Sequence, residues 1–93
     1  MSQGGATRTV QIVNKRGLHA RASAKFVKTA SGFEAEVRVS KDGQTVDARS
    51  IMGLMMLAAG IGSSIDIKAE GPDAEAAVTA LDALVSAKFD EDE

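Results

Sequence analysis

Two stretches of alternating residues set the strongest limit on how this chain can fold. In residues 34–40 (EAEVRVS) and 64–70 (SIDIKAE), apolar side chains occupy every second position, and polar or charged side chains occupy the positions between. Because successive side chains of a strand point to opposite faces, both stretches predict strands with one buried side and one wet side. Such strands are typical of an antiparallel sheet that helices cover on one face only.

Two further strands are predicted from shorter patterns. Residues 9–13 (TVQIV) also alternate, and the Asp-Gly pair inside residues 41–44 (KDGQ) favours a hairpin turn into a strand at about residues 45–48. In the strand at residues 34–40, we expect Ala35, Val37 and Val39 to face inward. The chain therefore has enough strand patterns for a four-stranded sheet.

Three helices are predicted between and after the strands. The first runs from Ala20 to position 29 or 30 and is expected to end with Gly32 as a left-handed cap. The second begins after Ser50, and the third begins at the Pro-Asp pair of positions 72 and 73. The residues that the third helix is expected to bury are Ala74, Val78, Leu81, Leu84 and Val85. The order βαββαβα predicts an α+β fold with a four-stranded antiparallel sheet and three helices on its dry face.

Size and composition limit how the chain is organised. A chain of 93 residues suffices for one core, so residues 1–93 are expected to form one domain, with flexible tails at residues 1–6 and 90–93. The absence of cysteine excludes disulfides and suits the cytoplasm. The first residues (MSQGGAT) lack the features of a signal peptide, and the longest apolar run (IMGLMMLAAGIG) is shorter than the ~20 residues that span a bilayer. We therefore expect no membrane insertion.

Charge is distributed unevenly along the chain. Residues 1–50 contain nine Lys/Arg and four Asp/Glu, whereas residues 51–93 contain two and nine, for a net charge of −2. Such a field can steer an acidic partner to one face of the molecule. With three Phe, no Tyr or Trp and no dense basic run, nucleic-acid binding is not expected.

The single histidine lies in the stretch NKRGLHARASAKFV at residues 14–27. Gly17 permits a tight turn before it and the alanines after it favour a helix, so His19 is expected at the N-cap. The free N–H groups of a first helical turn disfavour a cationic ring and favour an anion held against it. A neutral imidazole with a vacant lone pair is a nucleophile.

Four cations lie near His19 in the sequence. Arg21 can direct a planar fork of donors, which matches phosphate oxygens, toward the same point, and Arg16, Lys25 and Lys28 add positive charge. The pattern predicts a site that carries a phosphoryl group on nitrogen or binds an anion. The alternative is that His19 is an exposed loop residue and that the cations form a solvated helix face. No cofactor or metal is expected, because one histidine without cysteine cannot supply the ligands of a metal site.

The segment at residues 50–57 (SIMGLMML) is too apolar for a helix that buries only one stripe. If its leucines, and with them Ile51, face the sheet, then Met52, Met55 and Met56 remain outside. Exposed methionines beside a reactive site can form an adaptable docking surface. The alternative is that the whole segment is buried beneath a loop.

Two motifs give the chain a family resemblance. The stretches GLHARASAKFV at residues 17–27 and RSIMGLMML at residues 49–57, together with their separation, closely resemble the histidine-containing phosphocarrier family (HPr) of the bacterial sugar phosphotransferase system. The resemblance extends from about residue 7 to residue 88. It implies an open-faced β-sandwich with the strand order 1-4-2-3.

The resemblance also implies roles for individual residues. His19 would accept phosphate on Nδ1 from enzyme I, which draws it from phosphoenolpyruvate, and would pass it to an enzyme IIA domain, while Arg21 steadies the phosphate. Ser50 matches the serine that HPr kinase/phosphorylase modifies in part of the family. The residues expected to bind partners are Arg16, Ala20, Lys25, Lys28, Ile51, Met52 and Met55. Such a carrier is not an enzyme with a small-molecule substrate of its own, and we expect it to be a monomer.

Two positions depart from the family pattern. Ala22 stands where most relatives carry proline in the first helical turn, which predicts a less rigid loop without loss of function. Gly53 stands where some relatives carry lysine or another side chain, which predicts a thinner docking surface.

Three other functions stay open from the sequence. The first is a carrier of the nitrogen-related phosphotransferase branch, with the same chemistry and a mainly regulatory output. The second is a non-catalytic module that binds a transcription factor or an enzyme when Ser50 is phosphorylated. The third is a stand-alone enzyme that uses His19 as a general base, although the sequence offers no second catalytic group.

Overall fold

The computed structural model describes residues 4–91 of the chain. Within them lie four strands, β1 (Gly5–Gln11), β2 (Glu36–Lys41), β3 (Gln44–Asp47) and β4 (Ser64–Glu70). The helices are α1 (Ala20–Ala30), α2 (Ile51–Met56) and α3 (Ala74–Ser86), and a short turn at Lys88–Asp90 follows α3. In this part of the chain, no helix has the length and apolar composition needed to cross a membrane.

The four strands form one antiparallel sheet in the order β1-β4-β2-β3. Strand β4 pairs with β1 on one side, with Gly5 opposite Glu70, and with β2 on the other, with Glu36 opposite the same Glu70. Strand β3 pairs with β2 at the edge. The predicted α+β fold, with its strand order 1-4-2-3, is therefore confirmed.

Alternation divides the sheet into a dry face and a wet face. The inward residues of the two longest predicted strands are buried, namely Ala35, Val37, Val39, Ile65, Ile67 and Ala69. Helix α3 adds Ala74, Ala77, Val78, Leu81 and Val85 to the same core, whereas Leu84 is half-buried. A large aliphatic side chain that is fully buried contributes about 1.5 to 3 kcal/mol, so this shared face is what holds the helices on the sheet.

Strand β1 differs from the strand predicted at residues 9–13. It begins at Gly5 and ends at Gln11, because all seven of its residues face partners on β4. Ile12 remains buried, but its N–H donates to the carbonyl of Ser63 in the loop before β4, at 2.8 Å. Gly5 and Ala6, which the sequence assigns to a tail, thus belong to the folded body, and the first three residues lie outside the described part.

The other strands follow the predictions with small shifts. Strand β2 begins at Glu36, because the N–H of Glu34 donates to the carboxylate of Asp73 at 2.7 Å instead of to a neighbouring strand. Strand β3 begins and ends one residue earlier than predicted. The hairpin between them has the predicted Asp-Gly turn, with φ of 51° at Asp42 and 82° at Gly43.

Helix α1 has the predicted span, but the left-handed cap predicted at Gly32 is wrong. The C-cap is Ser31 in a right-handed conformation (φ −71°, ψ −12°), and its N–H donates to the carbonyl of Val27. The glycines with positive φ in residues 4–91 are Gly17, Gly43, Gly62 and Gly71. The chain therefore leaves α1 through a tight last turn in which no residue needs the left-handed conformation that favours glycine.

The chain after α3 turns back toward the start of α1. Lys88, Phe89 and Asp90 have φ of 58°, 55° and 62°, a left-handed run that costs non-glycine residues roughly 1–2 kcal/mol each. Complete burial of Phe89 and a hydrogen bond from Lys25 Nζ to its carbonyl, at 2.6 Å, offset that cost. Asp90 and Glu91 are therefore held on the body, which differs from the tail expected at residues 90–93; residues 92–93 lie outside the described part.

Candidate functional site

Gly17 shapes the loop that presents the histidine. Its φ is +63°, and a Cβ built there would lie 2.3 Å from the carbonyl oxygen of Ala59. The next residue, Leu18, is buried and donates its N–H to that same carbonyl at 3.0 Å. Only glycine lets the two loops approach so closely, and the contact fixes the chain immediately before His19.

His19 is the N-cap of α1, as the sequence predicts, with an extended backbone (φ −74°, ψ −179°). Its carbonyl accepts the first helical hydrogen bond, from the N–H of Ser23 at 2.8 Å. The N–H groups of Ala20, Arg21 and Ala22 precede that bond and have no helical partner. The imidazole makes no capping hydrogen bond to them.

The ring of His19 is instead paired with a carboxylate from the C-terminal end of the chain. Nε2 lies 2.5 Å from Oε2 of Glu91, and the two side chains are only 16% and 14% exposed. Because an ionised carboxylate only accepts hydrogen bonds, Nε2 carries the proton and donates it. In the described residues, Nδ1 makes no hydrogen bond.

Asn14 holds the other oxygen of this carboxylate. Its Nδ2 donates to Oε1 of Glu91 at 3.1 Å and to the carbonyl of Gly17 at 3.0 Å. The side chain is fully buried, and its Oδ1 has no hydrogen-bond partner within residues 4–91, so among these residues Asn14 acts as a donor only. One buried amide therefore links the histidine loop to the carboxylate that contacts the ring.

The surroundings of Glu91 favour its charged form. Burial acts to raise the pKa of Glu91, whereas the hydrogen bonds from His19 and Asn14 act to lower it. The positive charges of His19, when protonated, and of Arg16 act in the same direction, and the pKa of Glu91 lies below its usual value. A lasting negative charge therefore faces Nε2.

The four cations predicted to lie near His19 differ from one another in their exposure and in their contacts. Arg16 and His19 line one shallow groove together with Met55, and the loop at residues 58–60 completes its wall. Arg21 and Lys28 are exposed, and neither makes a hydrogen bond or ion pair within residues 4–91. Lys25 is half-buried and donates to the carbonyl of Phe89. Its ammonium therefore fixes the C-terminal turn, a contact that the sequence does not predict.

Helix α2 has one buried face and one exposed apolar face. Leu54 and Leu57 are buried, as predicted, whereas Met52 and Met56 are 71% and 67% exposed. Met55 and Ile51 are also exposed, at 40% and 41%, so Ile51 faces solvent and not the sheet. The alternative in which the whole segment is buried is wrong.

Ser50 is the N-cap of α2, as predicted. Its Oγ accepts a hydrogen bond from the N–H of Gly53 at 2.9 Å. A Cβ at Gly53 would lie 3.1 Å from both that Oγ and the Cβ of Val46 on β3. The absence of a side chain at position 53 thus lets α2 pack closely against the hairpin, with Ser50 at the edge of the exposed apolar face.

Sequence reasoning missed Asn14 and Glu91. Asn14 stands three residues before Gly17, a spacing that suits a side chain closing a turn, and this signal could have been used. Glu91 is 72 residues from His19 and lies in an acidic stretch with no recognisable pattern. Ala20, a predicted partner-binding residue, is exposed at the first position of α1. Within residues 4–91, no group of three or more His, Cys, Asp or Glu is arranged to hold a metal ion.

Known proteins share both the sequence and the fold of this chain. The family described as "PTS HPr component phosphorylation site" matches residues 6–87. The phosphocarrier protein HPr of Cupriavidus necator is 52% identical over 86 residues, which cover 92% of this chain and 97% of that protein. The phosphocarrier protein NPr of Shewanella violacea is 48% identical over 84 residues, which cover 90% and 92%.

A solved structure agrees with these sequence matches. The crystal structure of HPr-C-His from Thermoanaerobacter tengcongensis has a TM-score of 0.90 and 45% identity, and the match covers 95% of this chain and 99% of that one. A relative this similar over nearly the whole chain shares its fold and its family. The chain therefore belongs to the HPr family of phosphocarriers of the bacterial phosphotransferase system.

Proposed function

We propose that this protein carries a phosphoryl group on Nδ1 of His19. It receives the group from enzyme I, which draws it from phosphoenolpyruvate, and passes it to an enzyme IIA domain. The observation that carries the proposal is the state of the ring: Nε2 is paired with Glu91, and Nδ1 makes no hydrogen bond in the described residues. A neutral imidazole in this state has one lone pair available for phosphorus.

Two sets of hydrogen-bond donors near His19 could bind the negatively charged oxygens of the phosphoryl group. In the described part of the chain, the first-turn N–H groups of α1 have no hydrogen-bond partner, and the start of a helix favours an anion. The guanidinium of Arg21 is exposed two residues after His19 and has no partner in residues 4–91. A planar fork of donors gains strength as charge accumulates on the transferring oxygens, which is the interaction that lowers a barrier.

The partners would dock on the exposed face of α2 next to His19. Met55 lines the same groove as the histidine, and Ile51 and Met52 extend that apolar surface. Arg16 and Lys28 would form its basic border toward an acidic partner, and the exposed Ala20 would add a small contact beside His19. Lys25 would contribute to docking only indirectly, since its ammonium is bonded to Phe89.

Ser50 would act as a regulatory site for HPr kinase/phosphorylase. Its hydroxyl lies at the N-cap of α2, where a phosphate is stabilised by neighbouring N–H groups and does not unfold the helix. The new charge would stand beside Ile51 and Met52 and oppose the exclusion of water that docking requires. Phosphorylation of Ser50 would therefore weaken docking without changing the fold.

A second candidate is a carrier of the nitrogen-related branch. It is favoured by the 48% identity to a relative named NPr, beside the 52% identity to one named HPr. The two carriers would share the chemistry of His19 and differ in their partners. The test measures the rate of transfer to this protein from a sugar-branch enzyme I and from a nitrogen-branch enzyme I. The donor that gives the faster transfer identifies the branch. In either branch we propose a cytoplasmic monomer.

The test of the main proposal is phosphorylation in a purified system. The protein is incubated with phosphoenolpyruvate and a bacterial enzyme I, and its intact mass is measured before and after mild acid. We expect one added phosphoryl group, which acid removes because a phosphoramidate is acid-labile and a phosphoserine is not. The His19→Ala variant should gain none and stay folded, because the ring makes no capping hydrogen bond and the lost hydrogen bond to the Glu91 carboxylate costs about 1.5–3 kcal/mol. An acid-labile group on that variant would refute the assignment.

A further inference from the structure

The proposed docking surface makes no use of the contact between Glu91 and His19. Glu91 reaches the ring from the C-terminal end of the chain, and its carboxylate is nearly buried between His19 and Asn14. Both of its oxygens are used, Oε2 by the ring and Oε1 by the amide. A carboxylate fixed at two points against a histidine nitrogen orients that ring and selects its protonated nitrogen.

We propose that Glu91 is a positioning residue for phosphoryl transfer: its carboxylate holds the proton of His19 on Nε2 and so keeps Nδ1 as the nucleophile. This role rests on the proposed function, since it presumes that His19 carries the group. It adds a residue from the opposite end of the chain to the transfer chemistry.

The proton on Nε2 allows transfer without any proton leaving the ring. The Nδ1 lone pair forms the new bond to phosphorus, while the bond from phosphorus to the donor atom breaks and its electron pair leaves with the donor. The ring is then a cation, with phosphorus on Nδ1 and hydrogen on Nε2. When the group moves on, the bond between phosphorus and Nδ1 breaks, its electron pair returns to Nδ1, and the ring is neutral again.

The charge of Glu91 complements this cation. Positive charge builds up on the ring in the transition state of transfer into His19, and the carboxylate at Nε2 is already in place to stabilise it. In transfer out of His19 the ring starts as a cation and loses this charge. Because the pair is mostly removed from solvent, the interaction is stronger than it would be at an open surface. Glu91 should therefore speed transfer from enzyme I into His19, whereas it should not speed the step out of His19.

The surrounding turn supports a fixed carboxylate. Phe89 is fully buried two residues before Glu91, and Lys25 on α1 binds the carbonyl of Phe89. The three left-handed residues of this turn direct the chain back toward α1. The carboxylate is thus tied to the same helix whose N-cap is the histidine.

The test compares Glu91→Gln and Glu91→Ala with a control, Asp90→Asn. Asp90 is exposed, so its variant removes the same charge from the same turn without touching the ring, and asparagine tolerates a positive φ. Nitrogen-15 NMR of His19 in the unphosphorylated protein reports which ring nitrogen carries the proton. Steady-state transfer from enzyme I and to an enzyme IIA domain gives kcat and KM.

We expect wild type and Asp90→Asn to show the Nε2–H ring alone. Both Glu91 variants should show a population of Nδ1–H rings, and kcat of transfer from enzyme I should fall about tenfold while KM stays within about twofold. The step from phosphorylated His19 to the enzyme IIA domain should not slow. Glutamine keeps the packing and can present either end of its amide to the ring, so its loss of rate isolates the carboxylate from the fold.

Two results separate this role from the proposed function. If wild type is phosphorylated on His19 and both Glu91 variants keep its ring tautomer and kcat, Glu91 is only a structural contact and the inference fails alone. A rise in KM at constant kcat would also overturn it, because Glu91 would then belong to the docking surface. If wild type is not phosphorylated on His19 at all, the proposed function fails and this role fails with it.

Discussion

At the scale of single residues, the site is defined by what each nitrogen of His19 meets. Nε2 has a carboxylate at 2.5 Å, whereas Nδ1 has no hydrogen-bond partner in the described residues. Asn14 and Gly17 keep this arrangement in place, one by a buried amide and the other by a close approach of two loops. In the proposed mechanism, the chemistry thus depends on residues that do not touch the phosphoryl group, as well as on Arg21, which is proposed to touch it.

The role of Arg21 predicts a rate effect without a stability effect. Arg21→Lys should slow transfer by at least about tenfold, because a point charge cannot reproduce a two-point contact with phosphate oxygens. The free energy of unfolding should change little, since the side chain is exposed and unpaired in residues 4–91. Arg38→Ala, which removes a positive charge from the wet face of the sheet, is the matched control for Arg21→Ala. Wild-type transfer rates to both partners in Arg21→Ala would remove the residue from the mechanism.

At the scale of elements, the proposed function assigns the chemistry to α1 and the docking of partners to α2. Helix α1 presents the histidine at its N-cap, and α2 presents an apolar face across a shared groove. Leu54 and the C-cap residue Leu57 hold α2 on the core, so Met52 and Met55 are available to partners. The two helices therefore permit changes at the docking face that leave the core intact.

The docking face is tested by Met52→Glu. Affinity for enzyme I should weaken by about tenfold, because a carboxylate in an apolar contact must lose its water. The melting temperature should hardly move, since Met52 is 71% exposed. Met56→Glu is a matched control of similar exposure outside the proposed contact and should weaken binding less. A large loss of stability in Met52→Glu would place this segment in the core.

The proposed switch at Ser50 is tested by two variants. Ser50→Asp keeps an N-cap acceptor and adds a charge, whereas Ser50→Ala loses the cap and about 1 kcal/mol of stability. Transfer from enzyme I should be slower in the aspartate variant by about tenfold, because the charge lies beside Ile51 and Met52. Equal rates for both variants, and for protein phosphorylated at Ser50, would leave this serine with a capping role only.

At the scale of the whole molecule, the C-terminal turn closes the fold onto the site. The groups that face the Glu91 carboxylate are His19, Asn14 and Arg16, and together they lower its pKa below the usual 4.5. A carboxylate whose pKa is lower when folded stabilises the protein fully above the unfolded value and loses this contribution as the pH falls through the folded value. Protonation of Glu91 in this turn should therefore lower the stability of the folded protein at acid pH.

This coupling predicts a pH-dependent difference between wild type and Glu91→Gln. Urea unfolding should show wild type more stable by about 1 kcal/mol above pH 4.5, with the gap closing as the pH falls below that value. Asp90→Asn should show no such gap, because Asp90 is exposed and makes no ion pair in residues 4–91. A gap between wild type and Glu91→Gln that persists at the lowest pH would show that Glu91 stabilises by packing and not by charge.

The sequence predicts much of this molecule because its main signals are local. A period of two identifies the buried face of β2 and β4, and the glycine turn with the alanine-rich start identifies His19 as an N-cap. Strand limits are not local: β1 begins at Gly5 because β4 supplies a partner there. Phe89 follows Val85 by four residues and so extends the helical stripe, yet the chain turns left-handed at that point. The contact of Glu91 with His19 arises only when the whole chain has folded.

The most direct measurement of the central claim is the position of the phosphoryl group on the ring. The protein, labelled with nitrogen-15 in His19, is phosphorylated by enzyme I and phosphoenolpyruvate, and coupling between phosphorus-31 and nitrogen-15 is recorded by NMR. The account predicts one-bond coupling to Nδ1 and a proton that remains on Nε2, facing Glu91. Coupling to Nε2, or a phosphoryl group found on any residue other than His19, would contradict it.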